Sequence, residues 1–399
     1  MALAGRPYRV LKRPAVRVLV VNTGSSSIKA SVLDLTGSRA EQPALVAAAH
    51  VEWADDPDRA IDPGDRVRAL LAELEDAGVD GPSIEAVAHR IVHGGAEFTA
   101  PVVVDDAILA ALELLGPLAP LHNPVAVRVI GLVRGLLPRL PNVAVFDTAF
   151  HATLPEVAWR YPVPDRWTTT FGVRRFGFHG LSVQWSTERA AVLLSRPATE
   201  LAIVVAHLGN GCSATAVLEG RSRATSMGMT PYEGLMMGTR AGSIDPGILL
   251  QLLRANGMSA DDVADDLAYR SGMLGVSGST GDVRLLVAAA AGGDDRARLA
   301  LEMFSDRAAA GIAAMATALP RLDGIVFTGG IGEHAGTVRA SIARRLAILG
   351  VRPIASDESG SDRILAAIQP PGNGGVPLLR IEAREDIVAA RAARLVLGG

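Results

Sequence analysis

The run VLVVNTGSSSIKASVLD, residues 18–34, decides the fold. Two apolar, β-branched stretches flank a knot of small polar residues, Asn22-Thr23-Gly24-Ser25-Ser26-Ser27, and Lys29 follows two positions later. The flanks read as buried strands. The knot reads as a tight turn whose backbone N–H groups can point inward at an anion. The chain contains 37 arginines and only two lysines, Lys12 and Lys29. A lysine kept inside a strand of so arginine-biased a chain points to a need for a compact ammonium.

The same reading recurs once. IVVAHLGNGCSATAVLE, residues 203–219, lies on 18–34 with Gly209 on Gly24, Asn210 on Ser25, Gly211 on Ser26, Val217 on Val32 and Glu219 on Asp34. Both copies read strand, polar turn, strand, so a duplicated unit is expected. Two anion cradles, one per half, suit a nucleotide held by its phosphates between two lobes. Further strands are expected at 43–51, 86–92, 143–146 and 324–328. Helices are expected at 105–116, 123–138, 180–195, 246–255, 282–291 and 296–319, and the mixture is α/β.

With 399 residues, 49% of them hydrophobic, the chain can bury more than one core. A net charge of −3 argues against nucleic-acid or membrane-surface partners held by bulk electrostatics. No apolar run reaches bilayer length. The single cysteine, Cys212, excludes an internal disulfide framework and fits a reducing cytoplasm. The basic stretch 1–15 lacks a secretory apolar core and reads as a disordered extension.

The residues that could carry chemistry fall into clusters. In DGIVFTGGIGEHAGTVRASIARRL, 323–346, a strand runs into Gly329-Gly330-Ile331-Gly332, with a helix expected from about Ala335. The loop formally fits a dinucleotide fingerprint, yet it lies late in the chain and lacks the acidic partner, so close approach of a base or ribose is the better reading. No P-loop pattern exists. In AHRIVHGG, 88–95, His89 and His93 have a zinc-like spacing but no third ligand nearby. Arg90, inside an apolar strand, needs an anion or an ion-pair partner. In VAVFDTAFHATLP, 143–155, Asp147 ends a strand, where it either caps a turn or holds a metal or a proton, and His151 follows. In RRFGFHGLS, 174–182, His179 opens a helix that Ser182 is expected to cap. SMGMTPYEGLMMGTRAGSIDPG, 226–247, is a long apolar loop carrying Arg240. Anion cradles, cations, an aspartate and histidines together describe phosphoryl transfer, which needs charge neutralisation and positioning more than covalent work.

VNTGSSSIK, HRIVHGG, LAPLHNP, FDTAFH, RRFGFHGLS, HLGNGCS, TSMGMTPYEGLMMGTRAG, DVR and FTGGIGEH occur in the order found in the acetate kinase family, which the chain resembles over about 16–390. The resemblance implies the actin/sugar-kinase/chaperone-ATPase fold, with two duplicated α/β domains of mixed sheets around a nucleotide cleft. The domains would be 16–148 with 385–399, and 149–384. It implies Mg-dependent transfer from ATP to acetate, with propionate or another short carboxylate as the alternative acceptor, in a cytoplasmic homodimer.

Carried over by position, Asp147, Arg90, Arg240 and His179 would be catalytic. Arg90 with Val92, Leu121 and Pro231 would hold the acyl substrate. Lys29, His207, Leu208, Gly209, Asn210 and Gly211 would contact ATP, as would Asp282, Val283, Arg284, Gly330, Ile331, Gly332, Glu333 and His334. Asn22 and Glu385 would hold Mg²⁺, or Mn²⁺ in its place. Three positions depart from the family pattern: His334 for the usual Asn, Ser243 for an acidic residue, and Ala-Arg-Glu-Asp around Glu385, where Asp386 competes for the same role.

Overall fold

The computed structural model describes residues 17–24, 27–36, 42–52, 63–79, 81–120, 122–354, 361–366 and 375–398. The stretch 1–15, Ser25 and Ser26 of the first turn, and Leu121 lie outside the described residues. The chain divides into two units. One takes the described residues through Ala149 together with those from Arg384 on, and the other takes Phe150–Ala383.

In the first unit the strands are β1 (Arg17–Thr23), β2 (Ser27–Asp34), β3 (Ala44–Glu52), β4 (Ala86–Ile91), β5 (Val102–Val103) and β6 (Asn142–Phe146), in the sheet order β3-β2-β1-β4-β6-β5. β1 and β2 form the expected hairpin, and β4 and β6 join parallel to β1. A strand with parallel and antiparallel neighbours and helices on both faces is apolar throughout, which explains the unbroken Val18–Val21 run, no residue of which is more than 2% exposed. Leu19, Val21, Ile28 and Val32 pack with Val67, Leu70 and Leu74 of the helix Pro63–Asp76 and with Val129 and Val133 of Asn123–Leu136. The helix Glu385–Val396 returns to this unit and packs on β1, β4 and β6.

The second unit repeats the plan. Its strands are β7 (Ala202–Leu208), β8 (Cys212–Leu218), β9 (Arg221–Thr225), β10 (Gly324–Thr328), β11 (Arg363–Ala366) and β12 (Leu378–Arg380), in the order β11-β12-β10-β7-β8-β9. Read from the meander edge, both sheets have the same sequence of pairings, and both end in an antiparallel edge strand. The duplication seen in the two hairpins therefore extends through six strands. The hairpins differ by one residue: Thr23 pairs Ile28 in the first, and Leu208 pairs Cys212 in the second. Phe304, Ala308 and Ile312 of the 22-residue helix Asp295–Ala316 are buried on the side packed against β7 and β8. In each sheet the parallel strands end together, the usual location of ligands in α/β sheets.

Two local expectations change. A helix begins at Gly329, immediately after β10, and a second one at Gly336, so the glycine loop is itself helical. The helix Gly180–Leu193 has His179 at its N-cap, and Ser182 does not cap it. The Ser182 hydroxyl instead pairs with His207 Nδ1 at 2.8 Å.

Candidate active site

At the ends of β1, β4 and β6 in the first unit, one guanidinium gathers three polar side chains. Parallel register sets Asn22 beside Arg90, so both project from the same face. Arg90 donates from Nε to Asp147 Oδ1 at 3.0 Å and from Nη2 to Oδ2 at 2.5 Å, a two-pronged grip. Its Nη1 donates to Asn22 Oδ1 at 3.0 Å, and Glu385 Oε2 stands 3.2 Å from Nε. Asn22 Nδ2 reaches the same Glu385 oxygen at 3.4 Å. Burial alone would lower the Arg90 pKa, but Asp147 and then Glu385 outweigh it and raise it, so the cation is permanent. The Asp147 side chain is wholly buried, whereas Arg90 keeps 15% of its surface open. Of the two competing acids, Glu385 is the one at this cluster, and Asp386 pairs with Arg384 at 2.9 and 3.0 Å.

Around this cluster the chain is tightly pinned. Asp147 N donates to Ile91 O, and Gly94 N donates to the Thr148 hydroxyl at 3.0 Å. The buried Asn123 amide closes on the His93 backbone from both sides, at 3.1 and 2.9 Å. Between these ties sits Val92, 6% exposed. His89 is bonded to Asn142 at 2.7 Å, and burial drives its pKa down to about 4, partly offset by that bond, so it is a neutral core residue. His93 Nδ1 accepts from Gly95 N at 2.9 Å, and among the described residues no cluster of three or more His, Cys, Asp or Glu is placed to bind a metal. Lys29 lies exposed on β2, cross-strand from Asn22 and on the same face.

In the second unit the Gly209–Gly211 turn has two histidines and an arginine against it. His179 and His207 stack with ring centroids 4.1 Å apart, and His179 Nδ1 pairs with the Ser213 hydroxyl at 2.9 Å. A Cβ on Gly211 would sit 3.2 Å from His179 Nε2 and 3.3 Å from Arg240 Nη2, so glycine is what lets both groups close on the turn. Arg240 is 9% exposed, donates from Nη1 to Pro231 O at 2.7 Å, and has its pKa lowered by burial. Cys212 is fully buried, and burial pushes its thiol up to about 12, so it serves as a core residue and not as a nucleophile.

Beside the turn opens a cavity of about 1100 Å³ within this unit. Gly209, Asn210, Asp282, Val283, Arg284, Gly330, Ile331 and His334 line it. Leu208, Gly332 and Glu333 stand behind the wall. Leu208 packs against Gly332, and the Glu333 carboxylate accepts from Ala383 N at 3.0 Å. His207, on β7, and Gly211, in the turn, are not among the lining residues. Asp282 caps the helix Val283–Ala291 by accepting from Arg284 N, and the Arg284 side chain, then that backbone bond, hold its carboxyl below the ordinary range against the opposing effect of burial.

Sequence reasoning missed Thr239, Gly281, Val287, Ala335, Gly336 and Thr337 in this lining. Gly281 directly precedes the DVR motif, and a Cβ there would meet Gly238 O at 2.6 Å. FDTAFH, read as one cluster, divides: Asp147 serves Arg90 in the first unit, and His151 is bonded within the second.

The acetokinase family pattern matches residues 17–391. The acetate kinase of Deinococcus radiodurans is 44% identical over 396 residues, spanning 96% of this chain and 98% of that protein. The crystal structure of Porphyromonas gingivalis acetate kinase superposes with a TM-score of 0.85 at 34% identity, covering 96% of this chain and all of that one. A propionate kinase structure from Francisella tularensis gives 0.83 at 34% identity, covering 95% and 99%. The chain belongs to the acetokinase family.

Proposed function

We propose that this protein is an acetate kinase, moving the γ-phosphoryl group of ATP directly and reversibly onto the carboxylate of acetate to give acetyl phosphate and ADP. The observation that carries the reading is the Arg90 cluster. A permanent cation is locked by a buried carboxylate yet left partly open at the end of the parallel strands, in a chain 44% identical to an acetate kinase. Arg90 meets the acyl carboxylate. Arg240 and His179 donate to the equatorial oxygens on which charge concentrates during transfer, where each preorganised contact is worth about 3 kcal/mol. Asp147 orients Arg90 through its two bonds. The cavity lined by Gly209–Asn210, Asp282–Arg284 and Gly330–Ile331 takes the nucleoside of ATP. The family resemblance assigns Lys29 to the ATP phosphates.

Asn22 and Glu385 would hold Mg²⁺. Their oxygen donors suit a hard cation that keeps most of its water and shares phosphate oxygens, and such an ion needs no three-carboxylate cage. When bound, it supplies charge neutralisation to the phosphates.

A propionate kinase is the second reading, favoured by the Francisella likeness. One methylene in an apolar pocket changes preference by only about 1–3 kcal/mol. A hydroxamate assay with ATP against acetate, propionate and butyrate tests both readings. No acyl phosphate from any of these acids refutes the kinase, and a higher kcat/KM for propionate selects the alternative.

We infer in addition a homodimer working in the cytoplasm. The family resemblance and the exposed Ile248, Leu250 and Leu253 on the helix Pro246–Arg254, which buries none of its residues, support the first. A single buried thiol supports the second. Among the described residues no helix is long and apolar enough to cross a membrane. Light scattering on the purified protein tests the dimer.

A further inference from the structure

His151 is buried, 1% exposed, and takes no part in the chemistry above. Its Nε2 lies 3.0 Å from Phe178 O, and its Nδ1 lies 2.9 Å from the Ser222 hydroxyl. A carbonyl only accepts, so Nε2 carries the proton and Nδ1 accepts from Ser222. Burial draws the ring's pKa down to about 4, which keeps it neutral in this tautomer.

The carbonyl it holds belongs to the peptide leading into His179, whose backbone has φ +60 and ψ 24. That left-handed conformation is rare for a residue with a side chain, and it persists only where the surroundings enforce it. The bend begins two residues earlier at Gly177, with φ +76. A Cβ on Gly177 would lie 2.8 Å from the His151 ring and 2.6 Å from Thr225 Cγ2. Residues 177–179 are thus folded around the His151 imidazole. At the far end of the bend, His179 is held by Ser213 and stacked on His207, with its Nε2 against the Gly211 turn.

We propose that His151 is a positioning residue for phosphoryl transfer: its Nε2–H fixes the Phe178 carbonyl, and through it the left-handed backbone that aims the His179 imidazole at the Gly209–Gly211 turn. The inference rests on the kinase reading and adds a residue that touches no substrate.

A double-mutant cycle tests it, with turnover measured by the hydroxamate assay. His151→Phe keeps a ring but loses both hydrogen bonds. It should lower kcat by about 100-fold, the scale of a misplacement near 1 Å, with KM for ATP and acetate unchanged. His151→Gln, which restores a donor, should recover part of the loss. In a His179→Ala background, His151→Phe should cost no further kcat, because the two residues act as one unit. Should His151→Phe fail to fold, Ser222→Ala goes through the same cycle. Losses that multiply in the double mutant, or full turnover in His151→Phe, overturn the inference. A wild-type chain that forms no acyl phosphate removes the kinase reading and this one with it, whereas an active wild type with multiplying losses removes this one alone.

Discussion

Replacing Asp147 with asparagine isolates what the buried carboxylate does for Arg90. The change keeps shape and leaves one acceptor, but it discharges a side chain with no exposed surface and turns an amide N–H₂ toward a guanidinium that can only donate. Breaking a buried ion pair by altering one partner costs about 3–5 kcal/mol when the other charge is stranded. Here Arg90 retains Asn22 at 3.0 Å and Glu385 at 3.2 Å, and its own side chain is 15% open, which puts the loss at the lower end, about 3 kcal/mol. That corresponds to a Tm lower by roughly 10 °C for a unit of this size. Turnover falls separately, because a guanidinium held by two prongs becomes one held by its periphery, and a drop of about 100-fold in kcat is expected. Thermal unfolding and the hydroxamate assay on the same preparations read the two effects. Asp386→Asn is the control. Its pair with Arg384 is partly exposed, and such pairs are worth about 0–1 kcal/mol. Equal effects of the two substitutions, or wild-type kcat and Tm in Asp147→Asn, would show that the cluster is not what anchors Arg90.

Three further outcomes are expected. Gly238→Ala places a Cβ 2.2 Å from Asn210 Oδ1 and should raise KM for ATP without altering KM for acetate, measured by initial rates with each substrate varied. Val92→Ala should shift the ratio of kcat/KM for propionate over acetate upward by about tenfold, and no shift would remove Val92 from the acyl pocket. His89 and His151 both have folded pKa values near 4 against 6.5 unfolded, so the unfolded chain binds the extra protons between those limits. Stability supplied by these histidines is complete above pH 6.5 and is lost as pH falls toward 4, by about 3 kcal/mol for each, and urea melts across that range should flatten by one proton in His89→Gln.

What was legible in the sequence followed from how many constraints each residue carried. β1 is buried on both faces, so four apolar residues in a row admitted no other reading, and the hairpin offset found β7 and β8 through the same pattern. β5, β11 and β12 span two to four residues and have no period to detect. The helix Pro63–Asp76 was missed although Val67, Leu70 and Leu74 lie at helical spacing, because the acidic and basic residues between them lower its mean hydropathy. Arg90 and Asp147 stood out as polar residues in apolar strands, but their contact joins residues 57 apart and no local pattern encodes it. Ser182 shows the reverse failure: a serine near a helix start reads as a cap, while its hydroxyl is taken by His207.

The duplicated frame also places different groups at equivalent points of the two units. Register puts Asn22 beside Arg90 at the end of β1 and β4, and His207 beside Thr328 at the equivalent point of β7 and β10. In the first unit a long cation fills this point and recruits Asp147, Asn22 and Glu385. In the second, Thr328 is followed by Gly329, where a Cβ would lie 3.0 Å from His207 Nε2 and 2.8 Å from Leu208 O. A side chain there would close the approach between the turn and the helix behind it, so the second frame presents backbone where the first presents charge. Backbone N–H groups suit diffuse contact with phosphate, and a bidentate guanidinium suits a planar carboxylate. Gly329→Ala should therefore damage the second unit's turn while leaving the Arg90 cluster intact: weaker ATP binding by calorimetry, with the acid-dependence of kcat/KM for acetate unaltered. Equal loss for both substrates would mean that the division of labour between the copies is wrong.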